Sequence, residues 1–189
     1  MDTIDFYNTD PEGYSDKTFG ADMSDSRNRF IRYLSRGSRI LDLGCGSGRD
    51  SKAFASIGFL VTPVDGSEGM CRVAEKNTGL KVRRLLFGDL DYERCFEGVW
   101  ACSSLLHVPS EELPDILNKI SRALVPEGVL YMTFKKGTFE GIREGRYYTD
   151  MTCKSLTEFV DGCGMNVLES WESKQPDGNA EWVNAIVSV

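Results

Sequence analysis

Asp42, Gly44, Gly46 and Gly48 stand at alternate positions beside the apolar residues Ile40, Leu41 and Leu43, and the polar pair Arg49-Asp50 follows them. A loop so rich in glycine lets a chain turn sharply and lets a ligand lie directly on the backbone. A helix opening just beyond it aims free N–H groups and the positive end of its dipole at that ligand. This is the chemistry of a nucleotide-cofactor site. Two acids follow at intervals that suit the same ligand. Asp65 comes about 20 residues after the loop, where a carboxylate can accept both hydroxyls of a ribose; it also suits a plain turn before Gly66. Asp89, before Leu90, falls near the same crevice or is a simple loop acid. His107, the only histidine, is the natural candidate for a general base if an acceptor holds its proton at neutral pH. Its other reading is structural or substrate-orienting.

These residues need a scaffold, and the apolar pattern supplies one. Strands are expected at 39–43, 59–64, 81–87, 96–103 and 129–134, so that Asp42, Asp65 and Asp89 all lie at or near strand ends. Helices are expected at 22–33, from the glycine loop to about Ile57, at 68–77 behind a Ser67 cap, and after Ser110 with Leu113, Ile116, Leu117, Ile120 and Leu124 on one face. The first of them would bury Phe30, Ile31 and Leu34, the second Ala53, Phe54 and Ile57. Pro126-Glu127-Gly128 turns the chain into the fifth strand. Strand and helix alternating five times describe a parallel, doubly wound sheet.

The texture then changes. Residues 138–150 read as a polar, locally basic loop, 152–163 as a helix, and 165–171 and 182–189 as two strands. Pro176-Asp177-Gly178-Asn179 between them is turn chemistry too short for a parallel crossover, so the pair should be antiparallel. The fold class is therefore α/β, Rossmann-like and doubly wound. Its sheet is mostly parallel and seven-stranded, with a C-terminal antiparallel hairpin. Residues 5–19 read as an irregular arm, either poorly ordered or a lid that uses the aromatics Phe6, Tyr7 and Tyr14. The whole, 1–189, reads as one domain: an arm or lid over 1–21 and a core over 22–189.

Composition narrows the partners. A net charge of −7 argues against a nucleic-acid partner, which calls for a basic face. The six cysteines form no C-x-x-C pair and there is one histidine, so a zinc site of ordinary spacing is not expected. Scattered cysteines in apolar surroundings suit a reduced, cytoplasmic protein, and no run approaches membrane-spanning length.

The spacing of the loop distinguishes between nucleotides. A dinucleotide fingerprint needs G-x-G-x-x-G, yet the third such position here is Arg49 and the glycine comes one residue early, at Gly48. The pattern D-x-G-x-G-x-G, within Ile40-Leu41-Asp42-Leu43-Gly44-Cys45-Gly46-Ser47-Gly48-Arg49-Asp50, resembles motif I of the class I S-adenosylmethionine-dependent methyltransferases. Val64-Asp65-Gly66-Ser67, Cys102-Ser103-Ser104-Leu105-Leu106-His107-Val108 and Leu124-Val125-Pro126-Glu127-Gly128 extend the likeness from about Phe30 onward. Within that class it is closest to the tellurite-resistance-type small-molecule methyltransferases.

The resemblance implies a last strand inserted antiparallel between its neighbours, and S-adenosylmethionine as cofactor. It implies that Asp42 and the backbone of Gly44, Cys45 and Gly46 hold the methionine part. Asp65, beside Gly66, would take the ribose. Met70 would lie against the adenine, Asp89 and the Leu90 backbone would read its edge, and Cys102 would flank the cofactor. Tyr7, Tyr14 and Arg146 are candidates for the acceptor side, where Lys135, Arg143 and Arg146 either attract an anion or are simply solvated. Three activities remain open on these residues: a methyltransferase with a small-molecule acceptor, an NAD-dependent oxidoreductase, and a cofactor-binding regulatory protein without turnover.

Overall fold

The fully buried residues Ile40, Leu41 and Leu43 place the first strand at the centre of the molecule. A strand covered on both faces reads as a continuous apolar run, which is why this one has no polar alternation apart from Asp42. The computed structural model describes residues 2–174 and 180–189. Its strands are β1 (Arg39–Leu43), β2 (Leu60–Asp65), β3 (Arg83–Arg84), β4 (Phe96–Ala101), β5 (Leu124–Lys135), β6 (Glu140–Arg143), β7 (Arg146–Thr149), β8 (Asn166–Lys174) and β9 (Glu181–Ser188). Its helices are α1 (Thr3–Thr9), α2 (Pro11–Thr18), α3 (Ser24–Ile31), α4 (Arg49–Ser56), α5 (Glu68–Thr78), α6 (Leu113–Ala123) and α7 (Cys153–Gly162).

Seven strands form one sheet in the order β3-β2-β1-β4-β5-β9-β8. β1 pairs parallel with β2 and β4, and β4 with β5. β9 runs antiparallel to both β5 and β8, inserted between them, which is the expected closing hairpin. The order reverses direction between β1 and β4, and the crevice at the carboxyl ends of those two strands is where open α/β sheets bind ligands. One face of the sheet packs Trp100 and Tyr131, stacked at 3.9 Å, against Phe30 and Phe54. Gly98 is obligatory there, since a Cβ would lie 2.7 Å from the Phe30 ring. The other face takes Leu113, Ile116, Leu117 and Ile120 of α6.

Several expectations are corrected. The N-terminal arm is helical: Asp2 caps α1 in a reciprocal box with Asp5, Asp10 caps α2 by accepting from Gly13 N, and Pro11 occupies the first turn. These short polar helices have no apolar period of their own, so only their caps mark them. The 138–150 stretch is the β6–β7 hairpin, closed by Glu144 and Gly145, both with positive φ as a two-residue primed turn requires. Ser110 does not cap α6. Its N–H and Oγ both donate to the Glu140 carboxylate at 2.8 Å, tying the hairpin to the core, and α6 begins three residues later. The third strand is reduced to Arg83–Arg84, and Ile57 is turned outward where Gly58 ends α4 with φ +94°. Pro126-Glu127-Gly128 turns the chain as a bulge inside β5, whose pairing jumps from Leu124 to Val129. The turn expected at Pro176-Asp177-Gly178-Asn179 lies outside the described residues. Among the described residues no helix is long and apolar enough to cross a membrane.

Candidate active site

Gly44 and Cys45 both donate their N–H to Val64 O at 2.9 Å, folding the loop after β1 across the end of β2. Gly44 has φ +78°, and a Cβ on it would stand 2.5 Å from Ser104 Cβ in the loop after β4. Gly48 has φ +81°, and a Cβ there would meet Thr78 Cγ2 at 2.6 Å, so this early third glycine seats the loop on α5. Gly48 also precedes α4 without a side-chain cap, which leaves the first-turn amides without a partner from the cap.

Asp65 ties the neighbouring loops together. One carboxylate oxygen accepts from Gly46 N at 2.9 Å and the other from Ser67 N at 2.8 Å. Burial raises its pKa above the ordinary carboxylate value even so. Asp42, also buried, accepts from Ser51 Oγ; burial first, and then the adjacent Asp50, push it up to about 7. Asp50 behaves oppositely. Burial opposes its charge, but Arg49 and Arg27 hold it below the usual range, with Arg27 Nη1 and Arg49 Nη2 each donating at 2.6 Å and Trp100 Nε1 at 3.0 Å. Arg49 Nη2 also donates to Cys102 Sγ at 3.5 Å, and burial pushes that thiol up to about 12. Ser103 follows with φ +53°, a left-handed conformation that costs a residue with a Cβ on the order of 1–3 kcal/mol. The buried Ser104 Oγ beside it has no hydrogen-bond partner among the described residues.

His107 lies in a single 3₁₀ turn, Leu105–His107, with both ring nitrogens engaged. Nδ1 is 2.6 Å from Tyr147 O, which can only accept, so Nδ1 carries the proton. Nε2 is then the acceptor, and the Tyr7 hydroxyl donates to it at 2.8 Å. Burial foremost lowers the His107 pKa to about 4 and raises that of Tyr7. Tyr14 packs edge-on against Tyr7, with ring centroids 5.0 Å apart. Asn8 of α1 accepts from Ser67 Oγ at 2.7 Å and from Gly69 N at 3.0 Å, which docks the N-terminal helices on the loop after β2.

These elements enclose one cavity of about 250 Å³. Of the residues singled out from sequence, Asp42, Gly44, Cys45, Gly46, Asp65, Gly66, Met70, Cys102, His107, Tyr7 and Tyr14 line it. Asp89, Leu90 and Arg146 do not: Asp89 is exposed on the 3₁₀ turn Phe87–Asp89, Leu90 packs into the core, and Arg146 sits behind Tyr7. Phe87 supplies the wall on the Asp89 side. Sequence reasoning missed Arg49, Asp50, Ser103, Ser104 and Trp182. Arg49-Asp50 sat within the motif as the opening of a helix, while nothing local marks Trp182, which reaches the site only because β9 inserts beside β5.

Residues 40–128 match a family described as a methyltransferase domain, the stretch that carries the glycine loop, Asp65 and His107. That stretch, a little under half of the chain, is a methyltransferase domain, and the activity it carries is S-adenosylmethionine-dependent methyl transfer. The oxidoreductase alternative is set aside by the same match. The methyltransferase is similar, at 32% identity over 114 residues, to a malonyl-[acyl-carrier protein] O-methyltransferase of Erwinia pyrifoliae, covering 55% of this chain and 40% of that protein. It is 24% identical over 153 residues to an uncharacterized methyltransferase of Staphylococcus carnosus, covering 76% of this chain and 74% of the relative. The crystal structure of Burkholderia thailandensis 1,6-didemethyltoxoflavin-N1-methyltransferase, with bound 1,6-didemethyltoxoflavin and S-adenosylhomocysteine, superposes with a TM-score of 0.79 at 21% identity. That match covers 98% of this chain and 84% of the other. At that identity the likeness is one of fold.

The residues present fit the cofactor. A Cβ on Gly46 would stand in open space within the cavity, so the loop leaves its backbone bare to a ligand; Ser104 Oγ is a buried polar atom without a partner among the described residues, and two acids flank the glycine loop. S-adenosylmethionine supplies a methyl group already activated on a sulfonium, so the protein's task is alignment and exclusion of water.

Proposed function

We propose that this methyltransferase acts on a small-molecule nucleophile taken into the cavity beneath α1 and α2, and that residues 1–189 work as a single catalytic domain with 1–21 as its lid. The observation that carries this reading is the enclosure itself. Thr3, Ile4, Tyr7, Tyr14, Lys17 and Thr18 of α1 and α2 line the same cavity as the glycine loop, so an acceptor meets the cofactor beneath these helices, in a cleft of the size that suits a small molecule.

In this reading Asp42 and the loop Gly44-Cys45-Gly46 hold the methionine part, with Cys102 beside it. Asp65 keeps a lone pair on each oxygen for the ribose hydroxyls while it accepts from Gly46 and Ser67. Gly66 and Met70 flank the adenine, and Asp89 with the Leu90 backbone reads its edge from the rim. His107 acts through Tyr7: with Nε2 occupied and its basicity lowered, it fixes the phenol and is a positioning residue. The affinity with tellurite-resistance-type enzymes rests on the motif stretches alone, and a cytoplasmic location rests on six cysteines that are all free thiols.

Incubation with methyl-labelled S-adenosylmethionine and a cell extract split by mass tests the proposal. Label is expected in the low-mass fraction. Label retained only on protein or nucleic acid would sink it, and no transfer at all would favour a cofactor-binding protein without turnover.

A further inference from the structure

The acceptor end of the cavity is short of negative charge. Arg146, on β7, has a largely buried side chain, and its Nε is buried without a hydrogen-bond partner among the described residues. Among the described residues it pairs with one carboxylate, Glu144, 3.5 Å away and three-quarters exposed. Lys135, at the end of β5, makes no ion pair among the described residues, and burial foremost, then Arg143 and Arg146, lower its pKa. Arg143 is the contrast: both its terminal nitrogens donate to Asp150 at 3.0 Å. All three cations lie over the Tyr148 ring, at 4.5 Å for Arg143, 5.1 Å for Lys135 and 5.3 Å for Arg146.

This cluster abuts the cavity on two sides. The Tyr148 ring packs edge-on against His107 at 4.9 Å. The Arg146 guanidinium lies 6.0 Å from the Tyr7 ring and Lys135 Nζ 5.9 Å from the Trp182 ring, and His107, Tyr7 and Trp182 all line the cavity. Neutral rings attract a cation but do not neutralise it, and an exposed carboxylate at 3.5 Å compensates a largely buried guanidinium only weakly. Three cations against Glu144 and Asp150 leave one positive charge, in a chain whose net charge is −7. The excess calls for a monoanion, and the planar fork of arginine suits a carboxylate. Such a ligand also needs nothing from His107, whose nitrogens are both in use.

We propose that the methyl acceptor carries a carboxylate, bound at the Tyr7–His107 end of the cavity and held there by the charges of Arg146 and Lys135, which stand just outside the lining, Arg146 beside Tyr7 and Lys135 beside Trp182. This rests on the reading of the cavity as an acceptor site. Calorimetric titration of the protein saturated with S-adenosylhomocysteine tests it, using acids and their uncharged amides: benzoate and benzamide, salicylate and salicylamide, nicotinate and nicotinamide. At least one acid should bind about tenfold more tightly than its amide. Arg146→Gln and Lys135→Gln should each remove most of that preference and leave S-adenosylhomocysteine affinity unchanged, which also reports that the variants fold. If no acid is preferred, or no probe binds, or both variants keep the preference, the proposal is overturned while the cofactor reading stands. Failure of the wild type to bind S-adenosylhomocysteine would overturn the cofactor reading, and this proposal with it.

Discussion

The floor and the roof of the cavity are built in different ways. On the floor, the contacts span shorter stretches of chain: Asp42 with Ser51, nine residues apart, Gly46 N with Asp65, nineteen apart, and Asp50 with Trp100, fifty apart. The roof depends on side chains meeting across the whole chain. Tyr7 and His107 are 100 residues apart, and Thr3 Oγ1 accepts from Tyr147 N across 144. The floor belongs to the central strands β1, β2 and β4, whereas the roof consists of two short helices and a two-stranded hairpin outside the sheet. Segments with few buried contacts open at lower free energy than core strands. The difference therefore assigns retention of the cofactor to the floor, and admission of the acceptor to the roof.

The largest effect is expected from breaking the floor. Asp50→Ala leaves Arg27 and Arg49 with no carboxylate in a buried setting and Trp100 Nε1 without its acceptor. Removing one partner of a buried ion pair costs about 3–5 kcal/mol. Urea denaturation should show that loss with the slope unchanged. A loss below about 1 kcal/mol would mean that the floor relaxes as easily as the roof, and the contrast would fail.

The same contrast explains what could be read without coordinates. Glycine spacing, buried strands and acids at strand ends are local signals, so the loop 44–48, Asp65 and the succession of strands and helices along the chain were legible. The antiparallel pairing of β8 with β9 followed from a connection too short to cross over, whereas the insertion of β9 beside β5 came only with the family resemblance. The roof was not legible, because α1 and α2 have almost no apolar period and the 144–145 turn has no strong turn dipeptide at its head. Ser110 looked like a helix cap; only a partner thirty residues away, Glu140, shows that it pins the hairpin. Arg146 looked like a solvated charge because nothing in sequence brings Phe6 to within 4.5 Å of it.

Floor and roof should also answer pH with opposite signs. Folding raises Asp42 from 3.8 to about 7, so between those values the native state holds a proton that the unfolded chain has released. Its contribution is fully present below about pH 4 and is lost as pH rises to 7; Asp65, also raised, adds in the same direction. Folding lowers His107 from 6.5 to about 4, so there the unfolded chain holds the extra proton. That contribution is fully present above pH 6.5 and is lost as pH falls to 4. Each effect runs at up to about 1.4 kcal/mol per pH unit, and the two oppose each other across the shared window. Stability measured in urea from pH 4 to 6.5 should be steeper in His107→Gln than in the wild type, falling as pH rises. Identical slopes would remove the buried, neutral His107 from the description of the roof.

The smallest effect concerns a single hydroxyl. Tyr7→Phe keeps the ring against Tyr14 and deletes only the donor to His107 Nε2, leaving a buried acceptor unpaired. The expected cost is about 1–2 kcal/mol, borne by the roof. Because the chain has one histidine, its imidazole proton signal is unambiguous in a magnetic resonance titration. That hydrogen bond favours the neutral ring and helps to keep α1 closed over it, so its loss should move the titration midpoint up from about 4 toward 6.5. S-adenosylhomocysteine affinity should not change, because Asp65, Asp42 and the glycine loop are untouched. If the midpoint stays low, Tyr148 and the Tyr147 carbonyl hold the ring buried without help from the N-terminal helices, and the roof is then a cover resting on a preformed pocket.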